Sequence, residues 1–233
     1  MMSTVCLFDI DGTLLNSGGA GQHAMEQALL DVFGVTGPYE DIRAAGRTDK
    51  AITTDLFNHH KIELSEENWN SFLESYVAHL PNSLATQKGS VLPGIVDILN
   101  RLSEDESVSL GLLTGNLRVG ADVKLQHYKL DHHFKFGGFG DVHHDRDDVA
   151  RFALQEAIRH LDCDVPGETV WVIGDTPSDV TCGRAIGART IAVATGIYDA
   201  KVLKDAKPDY LFDDFSDVTT VVDCLMGLAN SAE

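Results

Sequence analysis

Short apolar runs rich in β-branched residues recur at Val5 to Phe8, Val108 to Leu113, Thr169 to Ile173, Thr190 to Val193 and Tyr210 to Phe212, with helically spaced stretches between them. Runs this short and continuous suit strands covered on both faces. Their alternation with helices predicts an α/β fold, a doubly wound, Rossmann-like parallel sheet. The first three runs end in polar, glycine-bearing turns, D-I-D-G-T, T-G-N and G-D-T-P-S-D. In open sheets of this kind ligands gather outside the carboxyl ends of the strands, so these turns are expected to converge on one crevice.

The long gap between the first two runs differs in kind. From Gly18 to about Thr86 it reads helical, with Met25, Leu29, Val32 and Phe33 on one face before Gly34, and Ile52 and Leu56 after Arg47-Thr48-Asp49. A third helix is expected to start at Ser65, to carry Trp69, Phe72, Leu73, Tyr76 and Leu80 on one stripe, and to be stopped by Pro81. Aromatic residues at this spacing are read as packing. The pattern predicts an inserted helical domain over residues 17–87, between two parts of a core domain over 1–16 and 88–233. The stretch Pro81 to Pro93 is the expected return hinge, and a helix with Ile95, Ile98, Leu99 and Leu102 in register follows it.

Composition narrows the class. The 233 residues are 43% hydrophobic and 23% charged, values of a folded globular chain long enough to bury a real core. A net charge of -18 repels nucleic acid and anionic membranes, so an anionic substrate must be met by local cations or a metal. The four cysteines, Cys6, Cys163, Cys182 and Cys224, show no C-x-x-C spacing and are expected as core thiols in a reducing compartment. The first strand begins almost at once, leaving no room for a basic leader and apolar stretch, and no run approaches a membrane span; a cytoplasmic protein, a monomer or small homo-oligomer, is expected.

Candidate chemistry sits in the turns. Asp9 and Asp11 lie two positions apart where a buried strand ends, an expensive place for acids unless a cation or a shared proton separates their ionisation. A solvated Asp-Gly turn is the competing reading. In the third turn, Thr176 suits a helix cap and Pro177 the first helical position, which puts Asp179 in the first turn. Asp175 joins Asp9 and Asp11 in an oxygen-rich cluster suited to Mg²⁺. The Thr114 hydroxyl and the amides of Gly115 and Asn116 have the chemistry to donate to an anion's oxygens. For a cation the candidates are Arg146, at a helix start, and Lys124, on the helix after Thr114, with surface placement the alternative for either.

These pieces, in this order along the chain, resemble the haloacid dehalogenase superfamily, and the helical insertion resembles its helical cap of the first insertion type. The resemblance implies Asp9 as nucleophile, Asp11 as general acid/base, Thr114 and Arg146 as phosphate-binding groups, and Asp9, Asp11, Asp175 and Asp179 around Mg²⁺. The residue at Arg146 departs from the pattern: a lysine followed by Pro-x-Pro is usual, whereas Asp147 and Asp148 follow here. The implied activity is Mg²⁺-dependent hydrolysis of a small-molecule phosphate ester through an aspartyl-phosphate. A phosphomutase shares every core residue. A metal-free dehalogenase lacks the second aspartate, and a phosphorylation switch places its acids on different strands.

The helical insertion offers the basic residues Arg43, Arg47, Lys50 and Lys61. Arg47 is the candidate contact for an anionic or hydroxylated substrate tail, against a plain surface arginine. The histidine pairs 59/60, 132/133 and 143/144 are adjacent and diverge, so they are poor ligand sets, although His143 and His144 are expected near the pocket border.

Overall fold

The computed structural model describes residues 4–37, 42 and 44–228. The chain opens with β1 (Thr4–Phe8), β2 (Leu15–Asn16) and three long helices, α1 (Ala20–Phe33), α2 (Asp49–His59) and α3 (Glu66–Thr86). It continues through β3 (Ser90–Val91), α4 (Ile95–Ser103), β4 (Val108–Leu113), α5 (Arg118–His127), β5 (Phe136–Gly138) and α6 (Arg146–Leu161). It closes with β6 (Val170–Gly174), α7 (Pro177–Ala185), β7 (Arg189–Val193), α8 (Ala200–Asp205), β8 (Tyr210–Phe212) and α9 (Val218–Leu225).

Six strands form one parallel sheet in the order β5-β4-β1-β6-β7-β8, the doubly wound arrangement. Cys6 faces Leu110 on one side and Trp171 on the other. The chain leaves β1 toward β4 and β5, then returns to build β6, β7 and β8 on the opposite flank. The order therefore reverses at β1, where crevices open in such sheets.

Side chains alternate across β1 as the strand period requires. Cys6 and Phe8 pack beneath α4 and α9 with Leu110, Leu112, Trp171 and Ile173, while Val5 and Leu7 meet Val149, Ala150, Ala153 and Ala157 of α6. Phe152 of α6 is turned outward. A third cluster joins the long helices: Ala24, Ala28 and Leu29 of α1, Ile52, Leu56 and Phe57 of α2, and Phe72, Tyr76, Leu80 and Leu84 of α3. The aromatic stripe of α3 is packing, with Phe57 and Phe72 edge to face at 5.6 Å between ring centres.

Three expectations need correction. Pro81 does not stop α3, which runs on to Thr86 with Ser65 as its N-cap. A proline inside a helix costs about 3 kcal/mol. Continuing brings Leu84 into the buried stripe, about 1.5–3 kcal/mol, and brings Ser83 Oγ to 2.9 Å from His23 Nδ1 of α1. Those gains offset the proline, whose ring lies exposed. Second, an edge strand at Phe136-Gly137-Gly138 was not legible in so short and glycine-rich a run; a Cβ on Gly137 would stand 2.8 Å from Leu112 Cβ. Third, Cys6, Cys182 and Cys224 are buried thiols as expected, but Cys163 is exposed. No helix among the described residues is long and apolar enough to cross a membrane.

Candidate active site

The loop after β1 is tied to its neighbour at once, the Asp9 amide donating to Ile173 O at 2.9 Å. The chain then turns sharply, with Gly12 at φ +82°. The turn makes room for Asp175: a Cβ on Gly12 would lie 2.5 Å from Asp175 Oδ2, and one on Gly196 would collide with the same oxygen. Thr195 Oγ1 donates to Gly12 O at 2.6 Å and seals this layer of glycine, acid and glycine.

Asp9, Asp175 and Asp179 each present an oxygen within 4.8 Å of the other two, and all three are buried. Asp179 is delivered by the start of α7, where Thr176 caps Asp179 N and the Asp179 carboxylate caps Thr176 N. Its other oxygen receives Arg146 Nη2. Arg146 is the first residue of α6, buried, with Nη1 3.7 Å from Asp9 Oδ1. Burial pushes the Asp9 carboxyl up to about 7, against the pull of Arg146 and the Thr114 hydroxyl. Burial, with the charges of Asp179 and Asp9, pushes Asp175 up to about 8. Asp9 Oδ1 has no hydrogen-bond partner. An all-oxygen set of acids crowded together, one with an oxygen that accepts no hydrogen bond, fits a hard divalent cation.

The Asp11 carboxylate, expected among the metal ligands, stands outside that group of three side chains. Lys124 Nζ donates to Asp11 Oδ2 at 2.5 Å, Asn116 Nδ2 to the same oxygen at 2.9 Å, and Ser17 Oγ to Oδ1 at 2.9 Å. Burial raises the Asp11 carboxyl, but Lys124 and these donors outweigh it and bring it below its ordinary value. Lys124, weighed as a surface residue, is buried and also donates to Asn116 Oδ1 at 2.6 Å. Both cation candidates therefore enter the crevice, Arg146 beside Asp9 and Lys124 beside Asp11.

Thr114 ends β4 wholly buried, with Asn116 N and Nδ2 donating to its hydroxyl at 3.2 and 2.8 Å. Gly115 is needed for close approach, since a Cβ there would strike the Arg47 carbonyl. Its own carbonyl accepts from Asp49 N at 2.7 Å, so the start of α2 is docked onto the β4 turn. Asp49 Oδ2 accepts from Leu117 N at 2.9 Å, and Thr48 Oγ1 donates to His144 O at 3.3 Å. Burial pushes Asp49 up to about 6.

A cavity of about 1000 Å³ lies between these loops and the long helices, lined by Asp9, Asp11, Gly115, Asn116, Lys124, Arg146 and Asp175 at one end. Arg47 lines it too, half-exposed and 2.7 Å from Asp55 Oδ2. Arg43 lies outside the described residues. His143 and His144 are not among the cavity's lining, and His143 faces a separate small surface hollow with Phe152. Asp49, Ser17 and Tyr76 escaped the sequence reading as site residues. Asp49 had the one local signal, an acid directly after a helix-capping threonine.

Against known proteins, the family described as Haloacid dehalogenase-like hydrolase matches residues 6–193. A Dickeya dadantii (strain 3937) protein named probable phosphatase IndB is 27% identical over 237 residues, covering 99% of this chain and 98% of that protein. Pyrophosphatase PpaX of Oceanobacillus iheyensis is 24% identical over 219 residues, covering 93% and 95%. In fold the chain is similar to the crystal structure of CbbY from Rhodobacter sphaeroides in complex with phosphate, at TM-score 0.73 and 18% identity over 93% of this chain and 96% of that one.

Proposed function

Because the chain belongs to the haloacid dehalogenase-like hydrolase family, we propose that it is a Mg²⁺-dependent phosphatase acting on a small phosphate monoester through an aspartyl-phosphate on Asp9. The observation that carries this reading is the position of Asp9, a buried carboxylate with an oxygen that accepts no hydrogen bond, between a guanidinium and two further acids. The names of the relatives, a phosphatase and a pyrophosphatase, support hydrolysis over transfer to a sugar.

Asp9, Asp175 and Asp179 would hold the Mg²⁺, which when bound supplies the positive charge that lets an anionic carboxylate approach an anionic phosphate. Asp179 enters that set already engaged by Arg146 and Thr176, so Asp9 and Asp175 are its principal donors. Asp9 attacks phosphorus and the bond to the leaving oxygen breaks. Arg146, the Thr114 hydroxyl and the amides of Gly115 and Asn116 hold the remaining phosphoryl oxygens, whose charge is greatest as the bonds exchange. Asp11 handles the proton, giving it to the departing alcohol and taking one from the water that cleaves the acyl phosphate. Its contacts with Lys124, Asn116 and Ser17 favour the ionised form that the second half needs; the acid role in the first half requires Lys124 to disengage.

Residues 17–87 act in this reading as a helical lid over a core of 1–16 and 88–233, excluding water and presenting Arg47 to the substrate tail. The test is phosphate release over a panel of phosphorylated metabolites with Mg²⁺ and with chelator, together with Asp9→Asn. Turnover is expected only with Mg²⁺ and only with Asp9 intact, and a phosphorylated Asp9 is expected in the acid-quenched protein by mass spectrometry. Full turnover by Asp9→Asn places the nucleophile elsewhere and ends the proposal.

A further inference from the structure

We infer that the crevice selects monoesters whose leaving alcohol is uncharged and carries an apolar face, and disfavours those bearing a second phosphate or a carboxylate. This deepens the phosphatase reading and rests on it. Away from the strand-end loops, part of the cavity's lining is Met25 and Leu29 of α1 and Ile52 and Leu56 of α2, all buried. Each pair is spaced i, i+4, so each helix turns one apolar face toward the space where a leaving group lies. A carbon skeleton placed there releases water from four apolar side chains, a gain a short anionic group does not supply.

The charges on the same wall point the same way. Glu26 follows Met25 and Asp49 opens α2, and both line the cavity. Arg47, on this wall, has its guanidinium 2.7 Å from Asp55, and Lys124, which reaches the cavity beside α1, is held by Asp11 and Asn116. A second anion on the substrate would thus face two carboxylates and cations already shared with others. Like charges opposed in a partly enclosed site disfavour binding. Of the two tails open to Arg47, anionic or hydroxylated, this favours the hydroxylated. A further polar group stands on the wall without charge: Tyr76, fully buried, has a hydroxyl with no hydrogen-bond partner, and burial holds its pKa well above the ordinary value, so it offers a neutral O–H. Buried hydroxyls are rarely left unpaired, and a neutral donor suits an uncharged partner.

The test is a set of esters matched in length and differing only at the far end: hexyl phosphate, 6-phosphonooxyhexanoate and hexane-1,6-diol bisphosphate, with inorganic pyrophosphate alongside, all in the presence of Mg²⁺. We expect kcat/KM for hexyl phosphate to exceed each of the other three by at least tenfold. Glu26→Gln, a change on a partly exposed helical position, is expected to raise kcat/KM for the carboxylate-ended ester severalfold relative to hexyl phosphate. Equal or faster turnover of the anion-ended esters or of pyrophosphate overturns the inference and leaves the phosphatase reading standing, as does an unchanged ratio in Glu26→Gln. Absence of phosphate release from all four and from a wider monoester panel overturns both.

Discussion

Lys124 of α5 and Asp11, 113 positions apart in the chain, meet at 2.5 Å between Nζ and Oδ2. The lysine side chain is 5% exposed and the aspartate 38%, so one end of the pair is dry and the other reaches the cavity. Removing one member of a fully buried pair costs about 3–5 kcal/mol; with Asp11 partly solvated, Lys124→Met is expected to cost roughly 1–3 kcal/mol. The Asp11 carboxyl, no longer held down by the ammonium, should rise, and the basic limb of the kcat/KM profile, set by the proton Asp11 gives in the first half, should move to higher pH. Denaturant unfolding and the pH profile check both. If the double variant Lys124→Met/Asp11→Asn loses as much stability as Lys124→Met and Asp11→Asn summed, the coupling between the two residues is absent.

Arg146 spans two carboxylates, reaching toward Asp9 with Nη1 and donating to Asp179 with Nη2. A lysine brings one compact charge and no fork, so it serves one of these partners at a time. Arg146→Lys is expected to lower kcat/KM by about tenfold, and Arg146→Ala by about 10³, the scale for losing preorganised donors to a developing phosphoryl charge. The alanine variant also strands Asp179 as a buried charge, so its melting temperature should fall while that of Arg146→Lys holds. Wild-type kcat/KM in Arg146→Ala would transfer the phosphate-holding role to Lys124.

Gly12 and Gly34 both hold a left-handed backbone, at φ +82° and +65°. Around Gly34 a Cβ meets nothing within 4 Å, whereas at Gly12 it meets the Asp175 carboxylate. Gly34→Ala therefore carries backbone strain alone, about 1–2 kcal/mol, and should lower stability while kcat stays put. Gly12→Ala adds the displacement of Asp175, and kcat should fall at least about 100-fold if that acid holds the metal. Similar kcat values for the two variants would show that Asp175 has no need of its present position.

What could be read from the chain was local. The strand-end turns, the Thr176 cap with Pro177 behind it and the stripes of α1, α3 and α4 are each written within a few residues of one another, and they folded where expected. Asp49 beside Leu117 and Lys124 on Asp11 depend on segments brought together only by the sheet and the docking of α2. Pro81 misled because a local rule met a tertiary gain of similar size at Ser83 and Leu84. Arg146 was found because it stands at a helix start in the order of motifs along the chain, but its grip on Asp179 joins two helix starts on different strands' loops.

The acids at the site tie stability to pH and metal together. In metal-free protein, Asp9 at about 7 and Asp175 at about 8 bind protons more tightly than in the unfolded chain, where such groups titrate near 3.8. The folded state therefore holds more protons at these two sites than the unfolded between these values, and their contribution to stability is fully present below about pH 4 and is lost as pH rises through 7 to 8. A divalent cation held by these acids would replace those protons, competing poorly at pH 5 and well at pH 8. At a hundredfold excess over its Kd, Mg²⁺ adds about 2.7 kcal/mol, roughly 5–10 °C in Tm for a chain of this size. Thermal unfolding with and without Mg²⁺ at pH 5 and pH 8 should show the larger shift at pH 8, and Asp175→Asn should reduce it. An equal shift at both pH values, undiminished in Asp175→Asn, would mean that the cation binds away from these acids.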